Sequence, residues 1–98
     1  METKSVLKAL NNDLRRETLQ VLLKKGDCSV KEVYSNLKKN KPKYRQSVNK
    51  ALDLLSEVDL VEKYYDENKK KIIFSPNYDT IKIHLDEMNI KGYSQDES

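Results

Sequence analysis

Six cations, Lys38, Lys39, Lys41, Lys43, Arg45 and Lys50, fall between positions 38 and 50 of this 98-residue chain, and no Asp or Glu lies among them. The other 13 cations face 16 acids, so outside this run the chain carries about −3 while the whole carries +3. The basicity is therefore local. Lys and Arg clustered at the entry of a helix are what a polyphosphate backbone attracts. The run is interleaved with Tyr44, Gln46, Ser47 and Asn49. Arg and Lys suit guanine edges in duplex DNA, and Gln and Asn suit adenine edges. A solvated charged surface is the competing reading of any such run.

Other chemistries find little support. Gly26 and Gly92 are the chain's two glycines, so there is no glycine-rich phosphate loop, and no Ser-His-Asp or Cys-His pairing sits in a motif. Catalysis is not expected. The single cysteine, Cys28, can form no internal disulfide and has no neighbouring cysteine to build a zinc site. His84, the one histidine, reads as an ordinary helix residue, and no metal or cofactor is expected. No apolar run approaches the roughly 20 residues of a membrane span, and no signal-peptide core opens the chain. A cytoplasmic domain without membrane contact is expected.

The elements that would position the basic run can be read from periodicity. A first helix is predicted over residues 3–10, with Val6, Leu7 and Leu10 on one side. Asp13 is expected to cap a second helix reaching about Lys25, apolar over a wide arc and closed by Gly26 in the left-handed conformation. Ser29-Val-Lys-Glu32 is a capping box for a third helix of about ten residues, with Val30, Val33, Tyr34 and Leu37 in register. Asn40 to Pro42 break the pattern, and Pro42 is expected in the first turn of a fourth helix, about 42–57. That helix turns Val48, Ala51, Leu52 and Leu55 inward and Arg45, Gln46, Asn49, Lys50 and Asp53 outward. Residues 60–65 and 70–75 then read as a hairpin around Asp66-Glu-Asn-Lys69, with Asn68 the expected positive-φ residue. Asp79 is expected to cap a last helix to about Ile90. Residues 1–92 are read as one domain, fraying at Gly92, with residues 93–98 a disordered polar tail.

Four helices, a hairpin and a helix, mainly α with a small β-hairpin, make the element order of a winged helix-turn-helix. At Leu52-Asp-Leu-Leu55-Ser-Glu-Val-Asp-Leu60-Val61, and at the Leu-x-x-Asp-x-x-Arg opening from Leu10 to Arg16, the chain resembles the arsenic-repressor-like (ArsR-like) transcription regulators. Asp59 stands where that family usually has glycine, which predicts a different turn. The resemblance covers about residues 5–90 and implies a homodimer on double-stranded DNA, with one recognition helix in each of two major grooves.

Carried over by position, the resemblance makes Arg45, Gln46, Ser47, Asn49 and Lys50 the base readers. Lys38, Lys39, Lys41, Lys43 and Tyr44 lie better for phosphates, and Lys69, Lys70 and Lys71 become wing contacts weakened by Asp66 and Glu67. The paired cysteines of the family's metal-sensing members are missing from residues 30–37, and Asp79, His84 and Glu87 lack a second histidine. No effector is implied. A last helix apolar on two sides, with Ile83 and Ile90 opposite Tyr78, Ile81, Leu85 and Met88, predicts a dimer interface that also takes in Val6 and Leu10. The competing function is a protein-interaction module that uses Tyr64, Tyr65, Phe74 and Tyr78.

Overall fold

The computed structural model describes residues 3–78, 80–84 and 89–93. Four helices come first: α1 (Thr3–Leu10), α2 (Asp13–Lys25), α3 (Val30–Asn36) and α4 (Arg45–Glu57). Two antiparallel hairpins follow, β1 (Val61–Asp66) with β2 (Lys71–Pro76), and β3 (Thr80–His84) with β4 (Asn89–Tyr93). No helix among the described residues is long and apolar enough to cross a membrane.

α2 is the central element. It buries Thr18, Leu19, Val21 and Leu22, with Leu14 and Leu23 packed at the margins, and it contacts α1, α3, α4 and β2. Val33 from α3 and Leu37 just beyond it, Val48, Leu52 and Leu55 from α4, and Leu60, Val61 and Phe74 from the hairpin and its entry complete one core. Its entry differs from the expected one: Asn12 is the N-cap, its side chain accepting from the Arg15 amide, and Asp13 is the first helical residue. Both positions place an acceptor near the start of the helix, and Asn12 has the extended backbone that a cap requires.

The arginines after Asn12 close the preceding helix. Arg15 Nε donates to the Ala9 carbonyl at 2.5 Å and Arg16 Nη1 to that of Leu10 at 2.7 Å, so the orphan carbonyls of α1 are met by cations. The capping box at Ser29 and Glu32 is formed in both directions. Between α2 and α3 the chain pairs with β2, since Cys28 and Phe74 exchange backbone hydrogen bonds of 2.9 and 2.8 Å. Cys28 is buried there, and burial raises its thiol pKa.

Two positive-φ residues shape the hairpin. Asp59, at φ 64°, adopts the left-handed conformation more usual for glycine. Its carbonyl accepts from Asn77 Nδ2 at 2.8 Å, which ties the hairpin exit to the end of α4. At the hairpin tip Lys70, at φ 53°, takes the role expected of Asn68. The Asp66 carboxylate accepts the Asn68 and Lys69 amides, which winds the turn early and leaves the left-handed step to the residue that re-enters the strand.

The expected last helix is replaced by β3 and β4, so His84 ends a strand and Gly92 and Tyr93 are paired within one. The segment alternates Ile81, Lys82 and Ile83 and is rich in β-branched residues, a composition equally suited to a strand. Ile83 and Ile90 stand opposite each other in register, so the two-sided helical stripe does not exist. Asp79, Leu85, Glu87, Met88 and the tail 94–98 lie outside the described residues. Val6, expected at a subunit interface, is fully buried in the protomer's own core, and Leu10 is packed against that core.

Thr18 supplies a test of the core. Its hydroxyl is fully buried and has no hydrogen-bond partner among the described residues. Thr18→Val removes the hydroxyl with little change of shape and is expected to stabilise the protein by about 1 kcal/mol in urea unfolding. A loss of stability would mean that the hydroxyl has a partner.

Candidate nucleic-acid interface

The apolar face of α4 sets the geometry of its polar face. Val48, Ala51, Leu52 and Leu55 are buried, so Arg45, Gln46, Ser47, Asn49 and Lys50 are all exposed. Arg45, Gln46 and Asn49 line an open groove of about 420 Å³ with Val30 and with Lys63 and Ile72 of the hairpin. Ser47 and Lys50 lie outside that groove. The acids of α4, Asp53 and Glu57, fall in its second half, so the donors concentrate at the N-terminal end.

α4 starts three residues later than the position of Pro42 predicts. Tyr34 Oη donates to the carbonyls of Pro42 and Lys43 at 3.0 and 3.3 Å, so neither carbonyl is used in a helical turn. Tyr44 is the N-cap in an extended conformation and makes no side-chain cap bond. The first amides of α4 are thus left for solvent or an anion, at the positive end of the helix dipole. Lys41 and Lys43 lie on this approach, with ammonium groups 4.8 Å from the Tyr34 ring centroid and 5.5 Å from that of Tyr44. Tyr44 itself is 63% exposed.

The connection before it is held from α2. Glu17 accepts the backbone amides of Lys38 at 2.7 Å, Lys39 at 3.3 Å and Asn40 at 2.8 Å, together with Asn40 Nδ2 at 3.0 Å. These bonds end α3 at Asn36, short of the expected ten residues, because the amides that would extend it turn to the carboxylate. The backbone bond from Lys38 is the largest cause holding the Glu17 carboxyl below the usual value of 4.5, against a smaller opposing effect of burial. Neither Glu17 nor the Tyr34 hydroxyl is identifiable as part of the site from the sequence. Glu17 lies 21 to 23 residues from its partners, and Tyr34 reads only as an inward apolar position.

The hairpin cations are unequal. Lys69 and Lys70 are exposed at the tip, whereas Lys71 Nζ lies 3.3 Å from Glu32 Oε1. Lys63, missed by the sequence reading because it sits alone in an aromatic strand, faces α4, with its ammonium 3.4 Å from Asp53. Among the tyrosines and phenylalanine considered for partner contact, Phe74 is fully buried and the Tyr64 hydroxyl donates to Asp27 at 2.8 Å. Tyr65 and its cross-strand partner Ile72 are 56% and 41% exposed.

No family model, curated protein or solved structure matches this chain.

The two perturbed glutamates make acid stability a measure of this architecture. Hydrogen bonds, chiefly from the backbone of Lys38 and Ser29 respectively, lower the folded pKa values of Glu17 and Glu32. The unfolded chain therefore binds more protons in the acid range, and the contribution of these groups is complete above the ordinary value of 4.5. It is lost as pH falls through the lowered folded values. A Glu17→Gln, Glu32→Gln double variant is expected to melt lower at pH 7 and to lose less on acidification from pH 5 to pH 3. Parallel melting curves for the two proteins across that range would contradict the assignment.

Proposed function

We propose that this chain is a double-stranded DNA-binding transcription regulator, a winged helix-turn-helix domain of the ArsR-like kind that uses α4 as its recognition helix. One observation carries the reading: the donor side chains in the N-terminal half of α4 are exposed while its apolar face is locked in the core, with four lysines at 38, 39, 41 and 43 leading into it. In this reading Arg45, Gln46 and Asn49 read base edges, Lys38 to Tyr44 and the α4 amides meet phosphates, and Lys63, Lys69 and Lys70 flank them. Two copies acting as a homodimer belong to the same proposal. The region that would carry the dimer is α1 with the β3–β4 hairpin beside it, in place of the expected helix.

Affinity for duplex DNA should fall steeply with salt as counterions are released, and a nearly flat log–log plot would count against the proposal. Arg45→Ala or Asn49→Ala is expected to cost roughly 1–3 kcal/mol of discrimination between sequences. Lys43→Ala should weaken all sequences alike. Equivalent behaviour of Arg45→Ala and Lys43→Ala would refute the assigned reading face. Sedimentation in the presence of a two-site duplex gives the stoichiometry, and one protomer per duplex at saturation would rule out the dimer.

A second reading, a protein-interaction module, is favoured by the exposed Tyr65–Ile72 pair on the hairpin. Reversing Lys43, Arg45 and Lys50 to Glu separates the two, since none of these side chains is in the core. DNA binding should be abolished at physiological salt while the helical circular-dichroism signal is retained. A triple variant that still binds duplex would refute α4 as the recognition helix, and native protein that binds no duplex but retains a protein partner would favour the second reading.

A further inference from the structure

Glu17 presents an opposition that charge alone does not resolve. Its carboxylate lies beside the most basic segment of the chain, where a negative charge weakens the attraction for phosphate. Yet it is bound to no lysine head. It accepts three consecutive backbone amides, Lys38, Lys39 and Asn40, and the Asn40 side-chain amide. Successive amides converging on one point form a nest, a concavity that binds anions. Here the anion comes from the chain itself, from the middle of α2. Hydrogen bonding to the charged form keeps this carboxyl ionised well below neutrality.

We propose that Glu17 is a positioning residue for the DNA-binding surface: it fills the nest at residues 38–40 and so fixes the lysine-bearing connection between α3 and α4 before DNA arrives. The proposal rests on the DNA reading above. Tyr34 clasps the next stretch through the Pro42 and Lys43 carbonyls, so consecutive parts of the connection are anchored to α2 and α3. Without Glu17 the three amides and the Asn40 side chain lose their protein partner. The connection then samples many conformations, of which only a fraction present Lys38, Lys39, Lys41 and Lys43 together. Apparent affinity falls by that fraction. The unfavourable charge is outweighed because ordering this backbone segment places four proposed phosphate contacts at once, whereas one carboxylate opposes them through screened solvent.

The sign of the affinity change decides between positioning and charge. Glu17→Gln removes the charge and turns an amide NH2 toward the nest. Glu17→Asp keeps the charge on a side chain one methylene too short to reach all four donors. Amide hydrogen exchange and affinity for a mixed-sequence duplex would be measured on native protein and both variants. Positioning predicts faster exchange at Lys38, Lys39 and Asn40 in both, by more than any loss of protection in α2 and α4, and affinity lower by about tenfold in both, as when the competent state is populated one time in ten. A pure charge effect predicts tighter binding by Glu17→Gln and unchanged binding by Glu17→Asp, and that result overturns the proposal. So does retained protection at residues 38–40. Native protein that binds duplex as well as both variants do overturns this inference alone, whereas native protein that binds no duplex at low salt overturns the DNA reading and this inference with it.

Discussion

Burial of one face of α4 against α2 is the constraint on which the candidate site depends. Val48, Leu52 and Leu55 are fully buried and Ala51 nearly so. Each of the three large side chains contributes roughly 1.5–3 kcal/mol on burial. Rolling the helix by one residue, about 100°, would expose these side chains and drive polar ones such as Asn49 and Asp53 toward the core. The rotation of α4 is thus set without any reference to its outer face. Arg45, Gln46, Asn49 and Lys50 are presented outward because the interior accepts only the other side.

That division explains what could be read in the sequence. α1, α2 and α4 are legible because their apolar residues recur at helical spacing, and the capping box at Ser29 marks the start of α3 by type and interval. The hairpin is legible because two aromatic and β-branched runs flank a polar tetrad. Two turn residues, Asp59 and Lys70, take positive φ without the glycine or asparagine that would announce it. Their conformations are imposed by partners: Asn77 on the Asp59 carbonyl, and the Asp66 carboxylate on the amides before Lys70. The last segment misled because isoleucine spaced among charged residues satisfies a helical stripe as readily as a strand when the window is short.

The site itself was half visible. Its cations and its exposed polar face follow from residue type and helical phase, but the α3–α4 connection does not, since the groups that shape it are remote. Lys63 was invisible for a related reason: strand pairing brings it to α4, and nothing beside it in the sequence marks it as part of a cationic groove. Carboxylate-to-amide and hydroxyl-to-carbonyl bonds between separate helices leave no periodic trace. They also account for both boundary differences, the early end of α3 and the late start of α4.

The pattern of ion pairing bears on how the surface could serve a polyanion. Among the described residues none of the six cations between positions 38 and 50 is in an ion pair; the pairs involve Arg16, Lys63 and Lys71. Pairs as exposed as those of Lys63 and Lys71 contribute roughly 0–1 kcal/mol and are readily exchanged for another anion. Glu17, an acid bonded to the basic run, satisfies backbone amides and leaves the ammonium heads unneutralised by contact. Order and charge are thereby supplied by different atoms of the same segment: the backbone is held by an internal anion while the ammonium groups stay out of ion pairs. A lysine-to-carboxylate pairing would have ordered the segment only by cancelling part of its positive field.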